Sequence, residues 1–153
     1  MSDTYSKLLI HVVFSTRNRA KDLDAAVRDE LYRYLAELLK EKGCRPLAIG
    51  GGLDHVHLLF ALPPVLSVSD LMRFLKANSS RWIREKFSPH LGWQAGYAAF
   101  SVSESNREAV CSYVEGQEKR HKRTSFEDEF VSLLKRNEIE FENERLWSPG
   151  RAE

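Results

Sequence analysis

The hydrophobic pattern divides the chain into seven segments, some with the two-residue period of strands and some with the 3.6-residue period of helices. Lys7-Leu8-Leu9-Ile10-His11-Val12-Val13-Phe14-Ser15-Thr16 is a nearly continuous apolar, β-branched run, which predicts a central strand. Over residues 24–41, Leu31, Leu35, Leu38 and Leu39 recur at helical spacing, and Gly43 ends the helix. Residues 44–50 read as a second strand. Gly50-Gly51-Gly52 then turns the chain into Leu53-Asp54-His55-Val56-His57-Leu58-Leu59-Phe60, a third strand stopped by Pro63-Pro64. Ser67 and Asp70 form a capping-box pattern that opens a helix to about residue 87. Its predicted buried stripe is Leu71, Phe74, Leu75 and Trp82, with Arg73, Lys76, Ser80 and Arg84 on the opposite face. Trp93 to Ser103 alternates weakly and reads as a fourth strand. Ser105 with Glu108 caps a third helix, over about 106–121.

The order β-α-β-β-α-β followed by a helix predicts an α+β fold. It matches the ferredoxin-like split βαβ arrangement, an antiparallel sheet with helices on one face and the other face free. The 153 residues suffice for one domain with a substantial core. The expected division is a main domain over 1–123, catalytic by the resemblance given below, and an acidic helical tail over 124–153. In that tail Phe126, Phe130, Leu133 and Leu134 allow a short helix to dock.

Charge sharpens this division. The net charge is +1, but residues 124–153 carry four Lys/Arg against eight Asp/Glu, leaving 19 against 14 in residues 1–123. The basic body concentrates its cations at Arg17/Arg19/Lys21, at Arg73/Lys76/Arg81/Arg84/Lys86 and at Lys119/Arg120/Lys122/Arg123. The two cysteines, Cys44 and Cys111, form neither a CxxC motif nor a disulfide framework, which suits a reducing cytoplasm. No apolar run reaches the ~20 residues a bilayer requires. The first residues lack a signal-peptide layout.

The candidate chemistry lies on the third strand and third helix. His55 and His57 alternate with Val56, so both imidazoles leave the same face of the strand, about 7 Å apart. Such a pair can converge on one metal ion. On the third helix Tyr113 and Gln117 stand at i and i+4, with Arg120 continuing the stripe. A phenol, an amide and a cation therefore share one side. His11 could face the metal site but reads as a hydrogen-bonded core histidine, Asp54 reads as a turn residue with a place in the metal shell as the alternative, and His121 reads as a phosphate contact or a solvated residue of the basic run. Trp82 and Trp93 read as core.

This set resembles the HUH-class tyrosine transposases, the insertion sequence 200-like single-strand DNA transposases and their REP-associated relatives. The resemblance runs through His11-Val12-Val13-Phe14-Ser15-Thr16-Arg17, Asp54-His55-Val56-His57-Leu58-Leu59, Ser79-Ser80-Arg81-Trp82-Ile83 and Trp93-Gln94-Ala95-Gly96-Tyr97. It continues through Phe100-Ser101-Val102-Ser103 and Tyr113-Val114-Glu115-Gly116-Gln117. It implies Tyr113 as nucleophile, with His55, His57 and Gln117 holding one Mg²⁺ or Mn²⁺. It also implies a 5′-phosphotyrosine intermediate and a homodimer in which one subunit's tyrosine helix can complete the other's site. The DNA partner would be single-stranded, with hairpins near the ends of a mobile element. Arg73, Lys76, Arg84, Lys119, Arg120, Lys122 and Arg123 would run along the strand, with Trp82 or Trp93 as possible stacking surfaces. Two imidazoles and an amide are softer than Mg²⁺ usually prefers, so ligand type alone argues for Mn²⁺ or Zn²⁺. The rival readings are another HUH enzyme, of replication-initiator or relaxase type, a domesticated non-catalytic nucleic-acid-binding module, and an unrelated metallohydrolase.

Overall fold

A computed structural model of the chain describes residues 2–147. The end of the predicted tail, residues 148–153, lies outside the described residues. Four strands, β1 (Leu9–Ser15), β2 (Arg45–Gly51), β3 (His55–Ala61) and β4 (Ala98–Val102), form one sheet in the order β2-β3-β1-β4. Every neighbouring pair is antiparallel. The sequence-predicted α+β, split βαβ arrangement is what the chain adopts.

Alternation along β1 and β3 produces two different faces. Val12 and Phe14, with Val56, Leu58 and Phe60, enter the main core beneath α1 (Ala25–Glu41) and α2 (Val68–Lys86). His11, Val13 and Ser15, with His55, His57 and Leu59, leave the other side. Both helices start where the sequence provides an acceptor. Asp24 Oδ1 accepts from the Val27 amide at 3.0 Å, and Ser67 Oγ accepts from the Asp70 amide at 3.1 Å.

The face expected to be free is covered. Val114 of α3 (Arg107–Glu115) packs on Ala48 and Leu59. Phe126, Leu133 and Leu134 of α5 (Phe126–Arg136) pack on Val13, Ala98 and Phe100. The reason is visible in the strands: Val13, Leu59 and Phe100 make this face apolar as well, so it requires a cover. The tail supplies one. Ser125 caps α5, its Oγ accepting from the Asp128 amide at 3.2 Å.

Three local expectations differ. The predicted third helix divides at Gly116 into α3 and the short α4 (Gln117–Arg120). It is preceded by a 3-10 turn, Glu104–Asn106, without a side-chain cap. The fourth strand is confined to Ala98–Val102, with Trp93 joined to Thr16 by a single bridge.

The stripe of α2 is also rotated from its predicted position. Leu71, Met72, Leu75, Lys76, Ser79, Ser80 and Ile83 are its buried residues. The loop before β4 crosses that side and pairs with Lys76 and Ser79. Ser79 Oγ donates to the Leu75 carbonyl at 2.6 Å and accepts from Trp93 Nε1 at 2.9 Å. Lys76, 2 % exposed, donates its ammonium to the carbonyls of Gln94 at 2.7 Å and Gly96 at 2.8 Å. Lys76→Met should therefore lower the melting temperature by roughly 5 °C or more, because two carbonyls lose a charged donor. It should leave the salt dependence of oligonucleotide binding unchanged. A shallower salt slope in filter binding would restore Lys76 as a phosphate contact.

Candidate active site

The hairpin glycines set the depth of the site. A Cβ on Gly50 would collide with the Val114 carbonyl oxygen. The missing side chain therefore lets α3 lie against β2 and brings Tyr113 over β3. Among the described residues, this one chain places His55, His57, Tyr113 and Gln117 together, with the tyrosine over its own histidines.

His55 and His57 are both buried, with ring centroids 5.2 Å apart. His11 is the core partner expected: its Nε2 lies 2.8 Å from His57 Nδ1. Asp54 does more than turn the chain, since its Oδ1 lies 2.8 Å from His55 Nδ1. Gln117, fully buried, presents Oε1 to His55 Nε2 at 3.1 Å. Arg120 lies over the Tyr113 ring, 5.1 Å from its centroid.

Sequence reasoning missed the centre of the network. Glu129 of α5, 1 % exposed, occupies the space between the histidines and the tyrosine. Its Oε1 is 3.1 Å from His57 Nε2 and 3.2 Å from His121 Nε2. Its Oε2 accepts the Tyr113 hydroxyl at 2.5 Å and Gln117 Nε2 at 2.9 Å. Arg120 Nε stands 3.0 Å from Oε2 as an ion pair, without hydrogen-bond alignment. A sequence signal existed: Glu129 interrupts the apolar stripe Phe126, Phe130, Leu133, and carboxylates are rarely buried without partners. His121, which the sequence places as a phosphate contact or a solvated residue, turns into this network. It stands one turn after Gln117, and its Nε2 is 2.8 Å from Gln117 Oε1. The ligand atoms of His55, His121 and Glu129 all lie within 4.8 Å of one another, a spacing open to one cation.

The electrostatics follow from burial. Burial and the adjacent His57 ring lower the pKa of His11 to about 3. Burial lowers that of His57 to about 4, against the pull of Glu129. Burial pushes the Glu129 carboxyl up, but hydrogen bonds from His121, His57 and Tyr113 outweigh it and hold the acid well below the carboxylate range. Burial and the Glu129 carboxylate raise the Tyr113 phenol above its ordinary value, so in the metal-free site the phenol stays protonated. Burial opposes charge on His121, yet Glu129 raises its pKa.

His11 and His57 titrate lower in the folded chain than in the unfolded one. Their stabilisation is complete above about pH 6.5 and is lost as pH falls through their folded values. Glu129 acts in the same direction, whereas His121 partly opposes it. The metal-free protein should melt about 5 °C lower at pH 5 than at pH 7.5. A melting temperature that rises on acidification would overturn this assignment.

Two clefts reach the site. One of about 420 Å³ is lined by Arg19, Lys21, Asp54, His55 and His121. The other, of about 440 Å³, is lined by His11, Phe100 and Tyr113. Lys119, Lys122 and Arg123 are exposed, and with Arg120 they line a neighbouring surface recess. Arg73 and Arg84 are exposed on α2, across the sheet from the histidines. Lys76, expected on the same basic face, is buried against carbonyls instead. Trp82 stacks on Tyr34 with centroids 4.8 Å apart, and Trp93 is fully buried, so both belong to the core.

A four-stranded antiparallel sheet that sets paired strand histidines beneath a tyrosine-bearing helix defines the structural class. The family model described as "Transposase IS200 like" matches residues 4–117, and the chain belongs to that family. It is similar to the ISDra2 transposase TnpA of Deinococcus radiodurans, with 27% identity over 118 residues, covering 72% of this chain and 84% of the relative. The transposase for insertion sequence element IS200 of Salmonella typhimurium is 34% identical over 77 residues, which is 50% of this chain and 51% of that protein. A crystal structure described as a transposase of Deinococcus radiodurans R1 superposes with a TM-score of 0.62 at 29% identity, covering 77% of this chain and 95% of that one. A REP-associated tyrosine transposase bound to a REP hairpin shares the fold, with a TM-score of 0.56 at 16% identity over 74% of this chain and 68% of that one. Glu129 and His121 lie beyond the segment that the family model matches. Among the described residues no helix is long and apolar enough to cross a membrane.

Proposed function

We propose that the chain cuts and rejoins single-stranded DNA through Tyr113. One observation carries this reading most directly. The Tyr113 hydroxyl shares the Glu129 carboxylate with His57, so nucleophile and histidine strand are parts of one buried network. Attack of Tyr113 Oη on the scissile phosphorus forms the tyrosyl ester, breaks the bond to the 3′ oxygen and releases a 3′-OH. Glu129 Oε2 is the atom toward which the phenol proton points. Because the ester bond conserves the phosphoester, the reverse step can join a different end without a nucleotide triphosphate.

The donors present, two imidazole nitrogens, an amide oxygen and a carboxylate, fit a divalent cation. His55, His57 and Gln117 would hold Mg²⁺ or Mn²⁺, which supplies charge neutralisation and orientation at the phosphate. Lys119, Arg120, Lys122 and Arg123 flank the tyrosine helix and would contact the backbone of the strand. Arg73 and Arg84 would serve DNA only where it wraps to the α2 side. A homodimer and hairpin ends belong to this reading, supported by family membership.

The test incubates the full chain with single-stranded oligonucleotides of candidate element ends and Mg²⁺ or Mn²⁺. The expected product is a denaturation-resistant protein–DNA adduct, abolished by EDTA, whose modified peptide maps to Tyr113. Cleavage without an adduct would show hydrolysis instead. Binding without cleavage across many ends would support a non-catalytic nucleic-acid-binding module.

A further inference from the structure

We propose that Glu129 and His121 are metal ligands, so that the segment after α4 completes with His55 and Gln117 the shell that the histidine strand begins. The inference rests on the metal-dependent reading above and extends it to residues outside the family-matched segment.

The argument is one of hydrogen positions. A backbone carbonyl only accepts, so His121 Nδ1, 2.8 Å from the Thr124 carbonyl, carries its hydrogen. His55 Nδ1, 2.8 Å from Asp54 Oδ1, likewise donates. In both neutral rings Nε2 is then a bare lone pair. Gln117 donates its amide nitrogen to Glu129 Oε2 at 2.9 Å, which turns its Oε1, also an acceptor, toward both rings. That oxygen lies 3.1 Å from His55 Nε2 and 2.8 Å from His121 Nε2. Glu129 Oε1 adds a fourth acceptor, 3.2 Å from His121 Nε2 and 3.9 Å from His55 Nε2.

In the metal-free site a proton on His121 Nε2 can bridge to Glu129; with that proton displaced, four acceptors converge with no hydrogen to share. Lone pairs so arranged repel one another unless a cation lies between them. Ligands about 2.0–2.2 Å from one metal stand ~3–4.4 Å apart, close to the spacing found here. The outer nitrogens are also held as metal-bound imidazoles are usually held, one by a carboxylate and one by a backbone carbonyl. Glu129 further corrects the softness of two imidazoles and an amide by adding the anionic oxygen that Mg²⁺ and Mn²⁺ favour. Its second oxygen stays on the Tyr113 hydroxyl, so one carboxylate joins metal and nucleophile.

The test is Mn²⁺ binding to the EDTA-stripped full chain, read by calorimetry and by the loss of free-ion electron paramagnetic resonance signal, without DNA. Wild type should take one Mn²⁺. Glu129→Gln and His121→Ala should each weaken binding by at least about tenfold. Glu127→Gln, which removes a neighbouring acid paired with Arg19, should leave affinity unchanged. Circular dichroism checks each fold, and His121→Ala, at a position less buried than Glu129, stands in should Glu129→Gln fail to fold. Wild-type affinity in both Glu129→Gln and His121→Ala would overturn the proposal. Tighter binding in Glu129→Gln would also overturn it, showing that the carboxylate occupies the metal's place. So would a wild type that takes no Mn²⁺. The adduct assay separates the two readings: unchanged Mn²⁺ affinity with a persistent Tyr113 adduct removes only this inference, whereas Glu129-dependent Mn²⁺ binding without an adduct removes only strand transfer.

Discussion

Tyr113→Phe should abolish the covalent adduct, a loss on the order of 10³-fold or more, because the proposed attacking oxygen is gone. The fold should survive. A phenylalanine ring keeps the edge contacts to His57 and His11, at centroid distances of 5.7 and 6.1 Å, and the Arg120 guanidinium above it. Glu129 Oε2 loses one donor but retains Gln117 Nε2 and the Arg120 ion pair, so the stability cost is about 1 kcal/mol. Denaturing gels of end-labelled oligonucleotide, beside thermal melts, report both quantities. An adduct of wild-type intensity in the variant would move the nucleophile to another residue.

Gly50→Ala should impair cleavage out of proportion to its effect on stability. The added methyl meets the backbone carbonyl of Val114, which cannot rotate aside, so α3 must shift away from β2. Overpacking of this kind typically destabilises by about 1–3 kcal/mol. Tyr113 precedes Val114 by one residue in α3 and moves with it. A displacement near 1 Å is enough to lose roughly 10²-fold in rate, since the reacting oxygen leaves its in-line position. Single-turnover cleavage with urea unfolding on the same preparations measures the two effects. Wild-type cleavage in a folded Gly50→Ala protein would show that the spacing of α3 on β2 does not position the tyrosine.

The strand–helix order, the common face of His55 and His57 and the common stripe of Tyr113, Gln117 and Arg120 were all readable along the chain. Each follows from a short-range period, two for a strand and 3.6 for a helix. Capping at Ser67 was equally local and is realised. The errors fall where a distant segment decides which side of an element is buried. Lys76 and Ser80 read as part of an exposed face of α2 but are buried, and the loop before β4 takes up the Lys76 ammonium. Trp93 similarly anchors that loop inside the core rather than presenting a surface to bases.

The active site divides along the same line. By itself the sequence determined which candidate residues share a strand face or a helix stripe, because those are properties of backbone geometry over a few residues. Only the tertiary structure decided what closes the site. The tail helix docks on the second apolar sheet face, places Glu129 between the imidazoles and the phenol, and turns His121 inward. That arrangement joins residues 72 positions apart along the chain. It is stabilised by burial of Phe126, Leu133 and Leu134 against Val13, Ala98 and Phe100, a driving force with no local period to read.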